Sequence, residues 1–109
     1  MIYWGYLAIA IMLEVAGTLS LKVSSQINSL SATFFVVVFY LASFSFLWLA
    51  IKKLDISLAY AIWAGAGTAI IALLGWLIFK DTMTFMKVIF ISLIIIGVVG
   101  LKLVSTPQT

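Results

Sequence analysis

Histidine, cysteine and arginine are all missing from this chain of 109 residues. Without imidazole or thiol side chains there is little with which to build a transition-metal site, a disulfide or a nucleophile activated by an imidazole base. An enzyme is therefore not expected, and no cofactor is implied. Charge is scarce as well: 8% of the residues are charged, against roughly a quarter in soluble domains.

What fills the chain instead is apolar, at 66% hydrophobic residues. Hydropathy divides it into four long segments, at about residues 1–21, 31–51, 58–79 and 88–104, each near the roughly 17 to 25 residues a bilayer-spanning helix needs. The expected fold class is an all-α membrane protein, one four-helix transmembrane domain over residues 1–109. The connectors "KVSSQINSL", "KKLDIS" and "KDTMTFMK" leave no room for a soluble domain. The first segment lacks a basic leading region and a clear small-x-small cleavage site, and it carries Glu14, so it reads as a retained helix rather than a signal peptide.

The six lysines lie singly or as a pair at the segment ends, which suits lipid headgroups and not nucleic acid. With four spans, Lys52, Lys53 and Lys102 fall on one side of the membrane and Lys22, Lys80 and Lys87 on the other. Lysine bias in short loops sets orientation, and here the two sides are balanced. Two readings fit: a weak bias supplied by the N-terminus or a partner subunit, or insertion both ways. The second predicts an antiparallel dimer, which supplies the inverted repeat that larger transporters carry within one chain.

Glu14 stands out within the run "AIAIMLEVAGTLSLK". It lies about 12 Å or more from the nearer end of its span at 1.5 Å per residue, too deep to reach the surface. A carboxylate there costs at least about 2.5 to 3.5 kcal/mol, and such groups usually face a cavity or bundle interior. Desolvation disfavours its charged form and a nearby cation favours it. A proton and a cationic substrate therefore compete for one group, the logic of an exchanger. The structural alternative is a protonated Glu14 that only hydrogen-bonds a neighbouring helix.

Leu7, Ala10, Glu14, Gly17, Thr18 and Leu21 share a face at helical spacing. Ala10 and Gly17 suit either a bound molecule beside the carboxylate or close helix packing. In the third span Tyr60 and Trp63 share a face, as an interfacial aromatic belt or as a wall for a lipophilic cation. Gly65 and Gly67 follow, as a hinge or as close packing. Tyr40, Ser43, Phe44 and Leu47 form a face of the second span that offers hydroxyl and aromatic contacts. The fourth span is nearly all aliphatic; its Gly97 and Gly100 allow another helix to approach, and lipid exposure fits equally well.

Together, "LEVAGTLSLK" and "AYAIWAGAGTA" within four short spans resemble the small multidrug resistance transporters over nearly the whole chain. The resemblance implies a proton-driven exporter of small organic cations in the bacterial cell (inner) membrane, working as an antiparallel, dual-topology homodimer. It assigns proton and substrate coupling to Glu14. It further places Gly17 and Thr18 on the binding face, Tyr40, Tyr60 and Trp63 in aromatic walls, bending at Gly65 and Gly67, and the dimer contact on the fourth helix, where Gly97 lies.

"EVAGT" departs from the guanidinium exporters, which usually carry Trp where this chain has Gly17, and favours the quaternary-ammonium or polyamine branches. Ser43 and "VIFISLIIIGVVGLK" fit the guanidinium branch too. The third span opens as "LDISLAYAIW" without the common proline-containing turn, resembling members that act as paired heterodimers, and Phe90 replaces a small residue of the dimer motif. The leading expectation is proton-coupled multidrug efflux of lipophilic or quaternary ammonium cations. Its alternatives are a polyamine exporter subunit of a heterodimer, a guanidinium exporter, and a non-transporting membrane subunit.

Overall fold

The computed structural model of the chain describes residues 2–105. Among these, regular structure is entirely helical: α1 (Ile2–Ile27), α2 (Leu30–Ala50), α3 (Ile56–Ile78) and α4 (Phe85–Val104). Each is long and apolar enough to cross a membrane. The expected start of the first span at Met1 lies outside the described residues. The chain divides into two compact units, Met1–Lys53 and Leu54–Thr109, each a helical hairpin.

Helix α1 runs on to Ile27, past the hydropathy boundary at Leu21. Its 26 residues rise about 39 Å, more than the hydrocarbon layer of about 30 Å. Hydropathy marks where the apolar layer ends; the backbone ladder ends where a residue turns it. That residue is Asn28, with φ at 51°, a left-handed conformation that asparagine tolerates better than most residues. Its N–H donates to the Ser24 carbonyl at 2.8 Å. Ser29 then adopts extended backbone as the N-cap of α2, and its side chain accepts from the Ala32 N–H at 3.3 Å. One residue stops a helix and the next starts another.

Four contacts fasten the α1–α2 seam. The rings of Tyr6 and Phe46 lie 6.1 Å apart; Ser43 Oγ donates to the Ala10 carbonyl at 2.7 Å; the Thr18 and Tyr40 hydroxyls are 2.8 Å apart; and those of Ser24 and Thr33 are 2.7 Å apart. Numbers rise along α1 as they fall along α2, so the pair is antiparallel. Ala10 and Gly17 on α1, and Val36, Ser43 and Ala50 on α2, are buried. Lipid is as apolar as the side chains, so helices in a bilayer associate through close backbone approach and polar contacts rather than through hydrophobic drive.

Ser43 is fully buried. Removing its hydroxyl in Ser43→Ala is expected to lower hairpin stability by about 0.5 to 1.5 kcal/mol, since the Ala10 carbonyl keeps its own place in the helix ladder. Equilibrium unfolding in a graded detergent mixture measures this.

In the second unit, α3 meets α4 at Gly65. A Cβ there would lie 2.8 Å from Val98 Cγ2 and 3.3 Å from Ile94 Cγ2. At the end of α3 the Gly75 carbonyl accepts from both the Phe79 and Asp81 N–H groups, each at 3.0 Å, while Lys80 between them takes a positive φ of 60°. Asp81 folds back so far that a Cβ on Gly75 would meet its Oδ2 at 2.6 Å. Thr84 caps α4, its hydroxyl accepting from the Lys87 N–H at 3.1 Å. This cap explains why α4 begins at Phe85, ahead of the hydropathy boundary at Val88.

Candidate functional site

The intramembrane carboxylate sits on the α1 face that meets α2. Glu14 is half-buried, and one helical turn on, Thr18 donates its hydroxyl proton to Glu14 Oε1 at 3.0 Å. The Thr18 oxygen also lies 2.8 Å from the Tyr40 hydroxyl. A hydroxyl has one proton to give. With Thr18 donating to the carboxylate, Tyr40 must donate to Thr18. Three side chains from two helices thus form one chain, with donor sense running from Tyr40 through Thr18 to Glu14.

Gly17 makes this geometry possible. A Cβ on it would stand 2.8 Å from both Cδ1 and Cε1 of the Tyr40 ring and 3.2 Å from Phe39 Cβ. The ring edge lies against the bare α1 backbone, and this brings the phenol to Thr18 one residue further on. Within the hairpin, then, the space at Gly17 is taken by an aromatic side chain. Ala10, also fully buried, accepts the Ser43 hydroxyl, so these two residues join the helices one to two turns from Glu14.

Phe44 lies elsewhere. It lines an open groove on α2 with Leu41, Ser45, Trp48 and Leu49 and is more than half exposed. On the second unit Tyr60 and Trp63 pack edge to face, centroids 5.8 Å apart at 89°, with Tyr60 exposed. Helix α3 passes through Gly65 and Gly67, both buried, without interruption. Just beyond, Thr68 donates its hydroxyl to the Ala64 carbonyl at 2.7 Å, a bond back to the preceding turn of the kind that often bends helices. On α4, a Cβ at Gly97 or Gly100 would meet nothing within 4 Å.

Sequence periodicity placed Glu14, Gly17 and Thr18 together because they share one helix. It also named Tyr40, but not its bond to Thr18. The partnership of Gly17 with Tyr40 follows from the short connection at Asn28 and Ser29, which fixes the register of α2 against α1. The groove lined by Leu41, Phe44, Ser45, Trp48 and Leu49 follows helical spacing along α2, yet the sequence assigns a site role to Phe44 alone among them.

No group of three or more metal-ligating side chains occurs among the described residues. The polar groups joined to one another around Glu14 are one carboxylate and the hydroxyls of Thr18 and Tyr40. Such an arrangement can take up either a proton or a cation at the carboxylate.

Comparison with known proteins agrees with this character. A family model described as Small Multidrug Resistance protein matches residues 2–94. The chain is 46% identical over 102 residues to the uncharacterized membrane protein YvaE of Bacillus subtilis (strain 168), covering 94% of this chain and 86% of that protein. It is 42% identical over 97 residues to the multidrug resistance protein EbrB of the same organism, covering 89% and 83%. To EbrB of Bacillus atrophaeus it is 39% identical over 102 residues, covering 94% and 87%. The chain is a multi-pass bacterial membrane protein, and it belongs to the small multidrug resistance family.

Proposed function

We propose that the protein is a proton-coupled antiporter that exports lipophilic or quaternary ammonium cations by alternating access, as an antiparallel, dual-topology homodimer. Members of its family are transporters rather than enzymes, and the relatives named EbrB are multidrug resistance proteins. The observation that carries the antiport reading is the line of hydrogen bonds from Tyr40 through Thr18 to the intramembrane Glu14.

The ionised carboxylate accepts from Thr18, and this charge-assisted bond lowers the cost of holding a charge in the membrane. A proton removes the charge; a cation balances it. Either occupant relieves the same electrostatic cost, so each displaces the other and the two cross the membrane in opposite directions. A quaternary ammonium ion has no N–H to donate and asks only for negative charge and aromatic faces. Glu14 supplies the first and Tyr40 an aromatic face; Tyr60 and Trp63 are the aromatic faces that the second unit offers. A polyamine would favour further carboxylates, yet the remaining acids, Asp55 and Asp81, lie at helix ends. Gly65 and Gly67 serve as the bend, aided by the Thr68 bond, and the open α4 surface at Gly97 forms the dimer contact.

Two variants test the hydroxyl line. Thr18→Val keeps the side-chain shape and removes both hydrogen bonds, leaving Glu14 Oε1 without its donor. Cation binding is expected to weaken about tenfold, from an unsatisfied group costing about 1 to 3 kcal/mol. Tyr40→Phe leaves the Thr18 bond to Glu14 in place, so its loss is expected to be smaller. Isothermal titration with tetraphenylphosphonium reads both.

The direct test is a solid-supported-membrane current assay of the purified protein with quaternary ammonium, polyaromatic, guanidinium and polyamine cations. Proton-driven currents with the first two classes are expected. Currents restricted to guanidinium or polyamine would move the protein to another branch. Binding without any proton-driven current would make it a non-transporting subunit.

A further inference from the structure

Along α2 lies a groove that the proposed export mechanism does not call on. Leu41, Phe44, Ser45, Trp48 and Leu49 line this open groove of about 430 Å³. Its walls are apolar: Leu41, Phe44 and Trp48 are each more than half exposed, and the Ser45 hydroxyl is turned back to the Leu41 carbonyl at 2.8 Å. At the end of the groove the helix closes in a tight turn, with the Lys52 N–H donating to the Leu49 carbonyl and the Lys53 N–H to that of Ala50, each at 3.4 Å. The turn sets two lysines side by side at the membrane surface. Lys52 folds back over the groove, its Nζ 4.2 Å from the centroid of the Trp48 ring.

Length places this groove in one leaflet. Leu41 and Lys52 are separated by about 16 Å along the helix, roughly the thickness of half a hydrocarbon layer. The lower part is a slot for an acyl chain and the upper part a rim of positive charge. Trp48 lies between them, at the depth where amphipathic rings collect. A ring face attracts an ammonium without cancelling its charge, so Lys52 is held in place and stays available to an anion.

We infer that this groove is a binding site for an anionic phospholipid, with one acyl chain along Leu41, Phe44 and Leu49 and the phosphate at Lys52 and Lys53. Charge decides among the occupants. A cationic substrate is repelled by the two lysines, and a zwitterionic lipid presents its own cation beside its phosphate. An anionic headgroup is attracted by both lysines, against the single carboxylate of Asp55 in the same connector. The site is independent of the Glu14 reading, since it uses none of the residues of the hydroxyl line and involves no proton exchange.

The test reconstitutes the full-length protein in phosphatidylcholine vesicles containing a minor fraction of lipid brominated along one acyl chain. The brominated lipid is either phosphatidylglycerol or phosphatidylcholine, and tryptophan quenching is measured. Trp48→Phe identifies the Trp48 share of the signal. The brominated phosphatidylglycerol is expected to quench Trp48 preferentially. Each lysine removed, as Lys52→Gln or Lys53→Gln, is expected to lower that preference about fivefold, the effect of one surface lysine on anionic lipid. Both substitutions are at exposed positions, so the fold is retained, which circular dichroism checks. Soluble glycerophosphate is expected to leave the quenching unchanged, because it lacks the chain. Equal quenching by the two lipids, a preference that survives both lysine substitutions, or displacement by glycerophosphate would each overturn the assignment.

Discussion

Replacing Glu14 by Gln is expected to abolish proton-driven cation exchange while leaving the hairpin intact. The amide keeps the shape of the side chain, and its carbonyl oxygen still accepts from Thr18, so the line of hydrogen bonds persists. What disappears is the charge. A carboxylate and a cation about 4 Å apart attract by about 4 kcal/mol at an effective dielectric of about 20, close to a thousandfold in binding. The variant also no longer carries the cost of an ionisable group in the membrane, so its stability should equal or exceed that of the parent. Flux in proteoliposomes, with detergent-based unfolding as the control for folding, separates the two effects. Continued exchange by Glu14→Gln would show that the coupling group is elsewhere.

The second large effect is expected at Gly17. A Cβ alone would come within 2.8 Å of the Tyr40 ring, and the two methyl groups of valine in Gly17→Val press further into it. Ordinary glycine-to-alanine changes in helices gain up to about 1 kcal/mol of backbone free energy. Overpacking costs about 1 to 3 kcal/mol, and a branched side chain against a ring falls at the upper end. The ring must swing away, and as it goes its hydroxyl leaves Thr18. Cation transport should fall about tenfold or more, together with a lower unfolding midpoint. The diagnostic is rescue: Tyr40→Ala in the same chain removes the obstruction, so stability should return even though the hydroxyl line stays broken. If Gly17→Val were as stable as the parent, or if Tyr40→Ala made it worse, the ring would not be the partner of Gly17.

Much of this protein was legible before its structure. Four helices and the depth of Glu14 follow from hydropathy, because the bilayer is a solvent that tests every side chain for polarity. The ends of the helices were less legible for the same reason. Residues 22–27 are mostly polar, yet nothing among them turns the backbone, and α1 continues through them. Small residues posed a different difficulty. A sequence marks Ala10 and Gly17 as places where something can come close, without saying what. Here a serine hydroxyl comes to the Ala10 carbonyl from 33 positions away and a tyrosine ring comes to Gly17. The sequence leaves both open between a ligand and a packed helix, and neither partner carries a local pattern that reveals its destination. Gly65 was read as a hinge or as packing, and Val98 and Ile94 supply the packing on α4. Phe44 shares a helix face with Tyr40 by periodicity, but the width of that face was enough to place its ring beside Trp48 in a separate groove.

The connection between α1 and α2 bears on biosynthesis. Only Asn28 and Ser29 join the two helices, so the pair can close from its turn outward as soon as both helices are made. Two helices tied so closely have both open ends on the same side of the membrane, so lysine bias can be read for each hairpin as a whole. The first hairpin has Lys52 and Lys53 at its open end and Lys22 near its turn; the second has Lys80 and Lys87 at its turn and Lys102 at its open end. By the rule that lysine-rich ends stay inside, the first would keep its open end in the cytoplasm and the second its turn. Because those ends belong on opposite sides of the membrane, the balanced lysine count consists of two opposed instructions rather than the absence of one.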